Sequence, residues 1–190
     1  MNEKESTLKR LKLLPILFRK QDVEKIAPHP AVFLTRAVKK GLIYRLNRGN
    51  YINSFLYGFP DVEQVACFLK PPGYISCEWA LHYHGIILQA PLVCSVITLS
   101  TSVGKGRSIE YQGIMIEFSK ISQKLFYAFS FHNSIYMAQP EKAILDTLYF
   151  RGKIPVADEM ELDDVDIEVL LKMSDKYPTP VRRYIQGLFN

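Results

Sequence analysis

The chain has 190 residues, 48% of them apolar, which is enough for a hydrophobic core and excludes a globally disordered protein. Its net charge of +5 is uneven: residues 1–60 hold 12 Lys and Arg against 4 Asp and Glu, a balance of +8, and residues 61–190 hold 12 against 15. A polyanion partner for the first third follows from that balance, with a merely solvated basic face as the plainer alternative.

Leu8, Leu11, Leu13 and Leu14 predict a first helix ended by Pro15. Ile16-Leu17-Phe18 reads as a short strand that pairs with a later hairpin. Gln21-Asp22 reads as the cap of a short helix through Ile26 and Ala27. Pro28-His29-Pro30 is a turn, and Pro30 suits the first position of a helix over 31–40. That helix carries Leu34, Ala37 and Val38 at helical spacing, with Arg36, Lys39 and Lys40 between them, and Gly41 stops it. Ile43 to Leu46 and Tyr51 to Asn53 read as two strands around the turn Asn47-Arg48-Gly49-Asn50. Helix, glycine stop and basic hairpin, in that order, are what a winged helix-turn-helix needs to lie along a duplex.

Phe55 to Pro60 reads as a connector. Beyond it, the pattern predicts a helix over 61–69 with Val62, Val65, Ala66 and Leu69 on one side. A break follows at Pro71-Pro72-Gly73, then a helix from Cys77 to His84 capped by Ser76 and closed by Gly85. Leu92 to Thr98 reads as a strand. Ser108 to Tyr111 and Ile114 to Phe118 read as strands around Gln112-Gly113, and Phe126 to Phe131 and Ile135 to Met137 repeat the pattern. Pro140 starts a helix over 141–149, and helical regions follow over 163–176 and 181–188. The expected fold class is α+β. A winged helix-turn-helix over 1–55 precedes an α+β domain over 60–190 with a small, mostly antiparallel sheet.

In the recognition helix Leu34, Val38 and Phe33 are expected to face the core, leaving His29, Thr35, Arg36 and Lys39 for the groove. Arg36 can read guanine with two hydrogen bonds, and Thr35 can touch a thymine methyl or a phosphate. Lys40, Arg45 and Arg48 are expected to meet phosphates and set register. Tyr44 and Tyr51 flank the wing as packing residues. The candidate DNA-binding set is therefore His29, Thr35, Arg36, Lys39, Lys40, Arg45 and Arg48.

Other clusters point less far. Cys67, Cys77 and Cys94 are an odd, sparse set that suits buried thiols in a reducing compartment. His82 and His84 lie two apart on a helix, so they point different ways, one to the core and one to the surface. No C-x-x-C supports zinc. Gly104-Lys105-Gly106-Arg107 lacks the spacing of a phosphate loop and reads as a basic turn. Lys142 and Asp146 are spaced to pair on one helix. The acids from Asp158 to Glu168 read as a solvated loop and a negatively charged helix start. No hydrolase or metalloprotease pattern occurs, and no catalytic residue, metal or cofactor is expected. No run of 18 apolar residues exists and the charged N-terminus lacks a signal-peptide core, so a cytoplasmic protein without a membrane segment is expected.

Three segments taken together resemble the AbiEi family, the antitoxins of type IV toxin–antitoxin systems. They are Lys39-Lys40-Gly41-Leu42-Ile43 with Arg48-Gly49-Asn50-Tyr51, then Tyr74-Ile75-Ser76-Cys77-Glu78-Trp79-Ala80-Leu81, and Ala138-Gln139-Pro140-Glu141-Lys142-Ala143-Ile144-Leu145-Asp146. The resemblance spans about Phe18 to Arg151, and the helical region after Arg151 is brief for the family. It implies a winged helix that binds the protein's own promoter and represses its operon. It also implies a larger domain that counters a nucleotidyltransferase-like toxin without a stable complex. The alternatives are a stand-alone winged-helix regulator and a DNA-targeted nuclease or interaction module without an antitoxin role.

Overall fold

The computed structural model describes residues 3–101, 106–154 and 159–189. The chain divides into two compact units, Met1–Asp61 and Val62–Asn190. Together they give a mixed α and β architecture with one sheet of three strands and one of six.

The first unit runs α1 (Glu3–Leu11), β1 (Leu17–Arg19), α2 (Lys20–Glu24), α3 (Pro30–Lys39), β2 (Tyr44–Asn47), β3 (Asn50–Ile52) and the single turn α4 (Ser54–Tyr57). Its sheet has the order β1-β3-β2 and is antiparallel throughout. As expected, the strand before α2 pairs with the hairpin: Phe18 sits opposite Tyr51, and their rings stack 5.6 Å apart. Leu11, Leu14, Val23, Phe33, Leu34, Ala37, Leu42 and Ile43 close the core around that pair.

Local chemistry explains the element ends. Pro30 opens α3, since its fixed φ suits a first helical turn that needs no N–H there. Gly41 ends it with φ +66°, and the Leu42 N–H reaches back to the Ala37 carbonyl while the Gly41 N–H reaches Val38. α1 stops at Leu11, earlier than expected. The residues before Pro15 are held in tight turns, with Leu11 and Leu14 buried and Leu13 68% exposed. α2 begins at Lys20 and ends at Glu24, so Ile26 and Ala27 lie beyond it. Asp22 is not its cap residue; it sits one turn in and accepts the Arg19 N–H at 2.8 Å. Asn53 is fully buried. Its side-chain amide donates to the carbonyls of Leu11 (2.9 Å) and Leu14 (3.3 Å), and its own N–H donates to Ile16. One side chain thus ties the end of the hairpin to the end of α1.

The second unit runs α5 (Val62–Leu69), β4 (Gly73–Ser76), α6 (Cys77–Tyr83), β5 (Val93–Thr98), β6 (Ser108–Tyr111), β7 (Ile114–Lys120), β8 (Phe129–His132), β9 (Ile135–Ala138), α7 (Pro140–Arg151), α8 (Ile167–Ser174) and α9 (Thr179–Phe189). Sheet order is β6-β7-β5-β4-β9-β8. Three of its five pairings are antiparallel; β5 with β7 and β4 with β9 are parallel. The sheet is therefore larger and more mixed than the sequence suggested, and the unexpected member is β4. All four of its residues are buried. Gly73 opens it because a Cβ there would lie 2.9 Å from the Lys70 carbonyl oxygen and 3.2 Å from that of Ile97. α5 packs on β4, β5, β7 and β9, and α7 packs on β4 and α6.

Candidate nucleic-acid interface

Every sequence-predicted contact residue lies in the first unit, and all seven are exposed: His29, Thr35, Arg36, Lys39, Lys40, Arg45 and Arg48. They do not form one patch. At 3.6 residues per turn, the buried stripe Phe33, Leu34 and Ala37 sets the inner side of α3, and Val32, Thr35 and Lys39 lie opposite it. One flank faces α1 across a hollow of about 170 Å³, lined by Thr7, Arg10, His29, Val32, Arg36 and Lys40 among others. The other flank faces the hairpin across a hollow of about 150 Å³, lined by Leu34, Thr35, Val38, Arg45 and Tyr51. Val38 was expected in the core. It is 37% exposed instead, because the inward stripe runs through Ala37 and leaves Val38 at its edge.

The hairpin carries the third patch. Gly49 adopts φ +91° at the turn, which glycine accepts without strain, and its carbonyl takes the Lys20 N–H at 2.9 Å. That bond anchors the hairpin tip to the start of α2. The tip and α2 enclose a groove of about 360 Å³ lined by Arg19, Lys20, Gln21, Glu24, Arg48 and Asn50. Arg45 is steadied within the hairpin: its Nε donates to the Asn47 carbonyl at 3.2 Å. Asn50 donates to the Asn47 side chain at 2.6 Å. Tyr51 packs in the core as expected, whereas Tyr44 is half exposed and meets Phe59 edge-on. Sequence reasoning missed Arg10, Arg19 and Lys20. They belong to α1, β1 and α2, and only the fold brings them beside α3 and the hairpin tip.

The second unit buries a cluster of polar side chains. Lys142 and Asp146 pair along α7 as their spacing predicts, but both are fully buried. Asp146 Oδ1 accepts from Lys142 and from the Tyr177 hydroxyl (2.7 Å), and Oδ2 accepts from the Tyr74 hydroxyl (2.9 Å) and Ser76 Oγ (2.8 Å). The ammonium also lies 5.2–5.5 Å from the ring centres of Tyr74, Tyr127 and Tyr177. Burial lowers the Lys142 pKa against the pull of Asp146. Burial, reinforced by the Asp146 charge, raises those of Tyr74 and Tyr177, and it pushes Tyr127 up to about 12. Ser76 precedes α6 but spends its hydroxyl on Asp146 and does not cap the helix.

Arg151, at the end of α7, donates to Glu78 (3.0 Å), Ser95 (3.0 Å) and Glu117 (3.4 Å), so these two acids are held by a guanidinium. Glu141 accepts the Asp166 N–H at 2.9 Å, and Asp166 caps α8 through the Val169 N–H. Part of the acidic run is thus helix-start chemistry; Asp158 lies outside the described residues. So do Gly104 and Lys105 of the basic turn, while the Gly106 carbonyl accepts from Lys70 at 2.8 Å. Neither histidine is in the core: His82, on α6, is exposed, and His84, just after it, is half-buried with Nε2 2.7 Å from the Ala138 carbonyl. The three cysteines are free, with Cys77 and Cys94 buried. Among the described residues no group of three or more His, Cys, Asp or Glu is placed to hold a metal ion. No described helix is long and apolar enough to cross a membrane.

Comparison with protein-family models found no match, and comparison with curated proteins found none either.

Proposed function

We propose that this protein is a DNA-binding transcriptional repressor. In this reading Met1–Asp61 is a winged helix-turn-helix, with α2 and α3 as its helix pair and β2–β3 as its wing. The observation that carries it is the placement of charge. Eight of the twelve cations of residues 1–60 are Arg36, Lys39 and Lys40 on and just after α3, Arg45 and Arg48 on the hairpin, and the neighbouring Arg10, Arg19 and Lys20, all within one compact unit. An exposed helix carrying Thr35, Arg36 and Lys39, together with a basic hairpin, supplies positive charge that a DNA duplex attracts.

The antitoxin role rests on the resemblance to AbiEi proteins. Two of the three segments that carry it, 74–81 and 138–146, meet in the second unit through Tyr74, Ser76 and Asp146. The proposed pairing is with a nucleotidyltransferase-like toxin that it opposes without a stable complex. The two roles are tested together by placing a reporter under the protein's own upstream region. Wild-type protein should lower expression, and Arg48→Ala with Lys39→Ala should restore it while still rescuing growth against a co-expressed neighbouring toxin. Unchanged reporter output with wild-type protein would remove the repressor role. Rescue lost in the surface-charge variant would remove the division of roles.

A further inference from the structure

α3 presents different chemistry on its outward line and on its α1 side. The outward line reads Val32, Thr35, Lys39: one apolar β-branched side chain, one hydroxyl with a methyl, one cation. Val32 is 49% exposed although it is the third residue of the helix, beside Ala31, also exposed. The first turns of a recognition helix are the part that enters the major groove, where the thymine methyl is the apolar feature to be met. Val38, the other exposed valine of α3, is turned toward the hairpin with Leu34 and Tyr51 and lies a turn and a half further on. The α1 side gathers Arg10, His29, Arg36 and Lys40 around one hollow whose lining Val32 shares, three of these four being permanent cations. Such a ring suits an anionic oxygen cluster better than the neutral edge of one base pair.

We propose that Val32 reads a thymine methyl, with Thr35 beside it, and that Arg10, Arg36 and Lys40 around the α1–α3 hollow hold a backbone phosphate. This division of labour rests on the DNA-binding reading above, and it moves specificity from Arg36 to Val32.

The test is selection from a randomised 30-base-pair duplex pool with the full-length wild type, Val32→Ser and Arg10→Gln/Arg36→Gln, each checked for fold by circular dichroism. Wild type should enrich a motif containing thymine, and replacing that thymine by uracil, which removes only the methyl, should weaken its binding several-fold. V32S should lose the thymine preference and bind thymine and uracil duplexes alike. The double variant should enrich the wild-type motif with uniformly weaker, less salt-dependent binding. An enriched motif that V32S leaves unchanged, or that lacks thymine, overturns this inference alone. A motif altered by the arginine substitutions but not by V32S does the same. A wild type that enriches nothing overturns the DNA-binding proposal and this inference with it.

Discussion

The Tyr74 hydroxyl donates to the Asp146 carboxylate at 2.9 Å, across 72 residues of chain, with both side chains fully buried. The same carboxylate holds Ser76, Lys142 and Tyr177, so β4, α7 and the link between α8 and α9 meet at one aspartate. Four donors on two oxygens leave the ion satisfied, which is the condition under which a buried charge is tolerated. Two of the segments that carry the AbiEi resemblance converge here. They therefore mark how the second unit is built.

Breaking that pair should be costly. Asp146→Ala strands a buried ammonium and should lower stability by about 3–5 kcal/mol. Lys142→Met combined with Asp146→Leu should cost less than Asp146→Ala alone, since neither charge is then buried. Urea unfolding of the two variants beside the wild type measures this, and a double variant worse than the single one would show that the network contributes more than it costs to bury.

Alkaline pH should weaken the fold. Burial pushes Cys67 up to about 11 and raises Cys77 and Cys94 well above the usual thiol value of 9.0. The unfolded chain releases these protons from about pH 9 upward while the native chain retains them, so stability present below pH 9 falls as pH rises. The raised tyrosines Tyr74, Tyr127 and Tyr177 add to the fall from about pH 10. Lys142, whose pKa is lowered, acts in the opposite direction below 10.5. Urea midpoints should therefore drop between pH 9 and 11, with a shallower drop in Cys67→Ser; a midpoint that holds or rises through this range contradicts the burial of these groups.

Asn53→Ala should destabilise the first unit by about 1–3 kcal/mol, because the carbonyls of Leu11 and Leu14 lose their buried donor. Amide hydrogen exchange should show faster opening of α1 and β3 in this variant. Protection unchanged in both would mean that the side chain does not tie them.

Arg48→Ala should weaken every duplex alike and reduce the salt slope by about 0.9, the effect of one lost phosphate contact. Lys20→Ala, across the same groove, should behave the same way. A change of sequence preference in either variant would place the hairpin tip against bases.

The parts legible in the sequence are those with local punctuation. Pro30 and Gly41 bracket α3, Gly49 turns the hairpin, and Pro140 opens α7, each through backbone chemistry that no distant contact has to supply. β4 was not legible: four wholly buried residues between a proline pair and a helix show no alternation. The spacing of Lys142 and Asp146 shows that they pair but not that they are buried. That depends on Tyr74 and Tyr177, which are remote in sequence. The candidate site was half legible for the same reason. Exposure on α3 follows from helical period, but the arrival of Arg10 beside Arg36, or Lys20 beside Arg48, is a product of tertiary packing.

The most direct measurement is binding of the full-length protein to its own upstream duplex and to a shuffled duplex of equal composition, from low to physiological salt. The account predicts tighter binding to the upstream duplex at every salt concentration and a steep fall in affinity for both as salt rises, from counterion release. Equal affinity for the two duplexes, or affinity indifferent to salt, would contradict it.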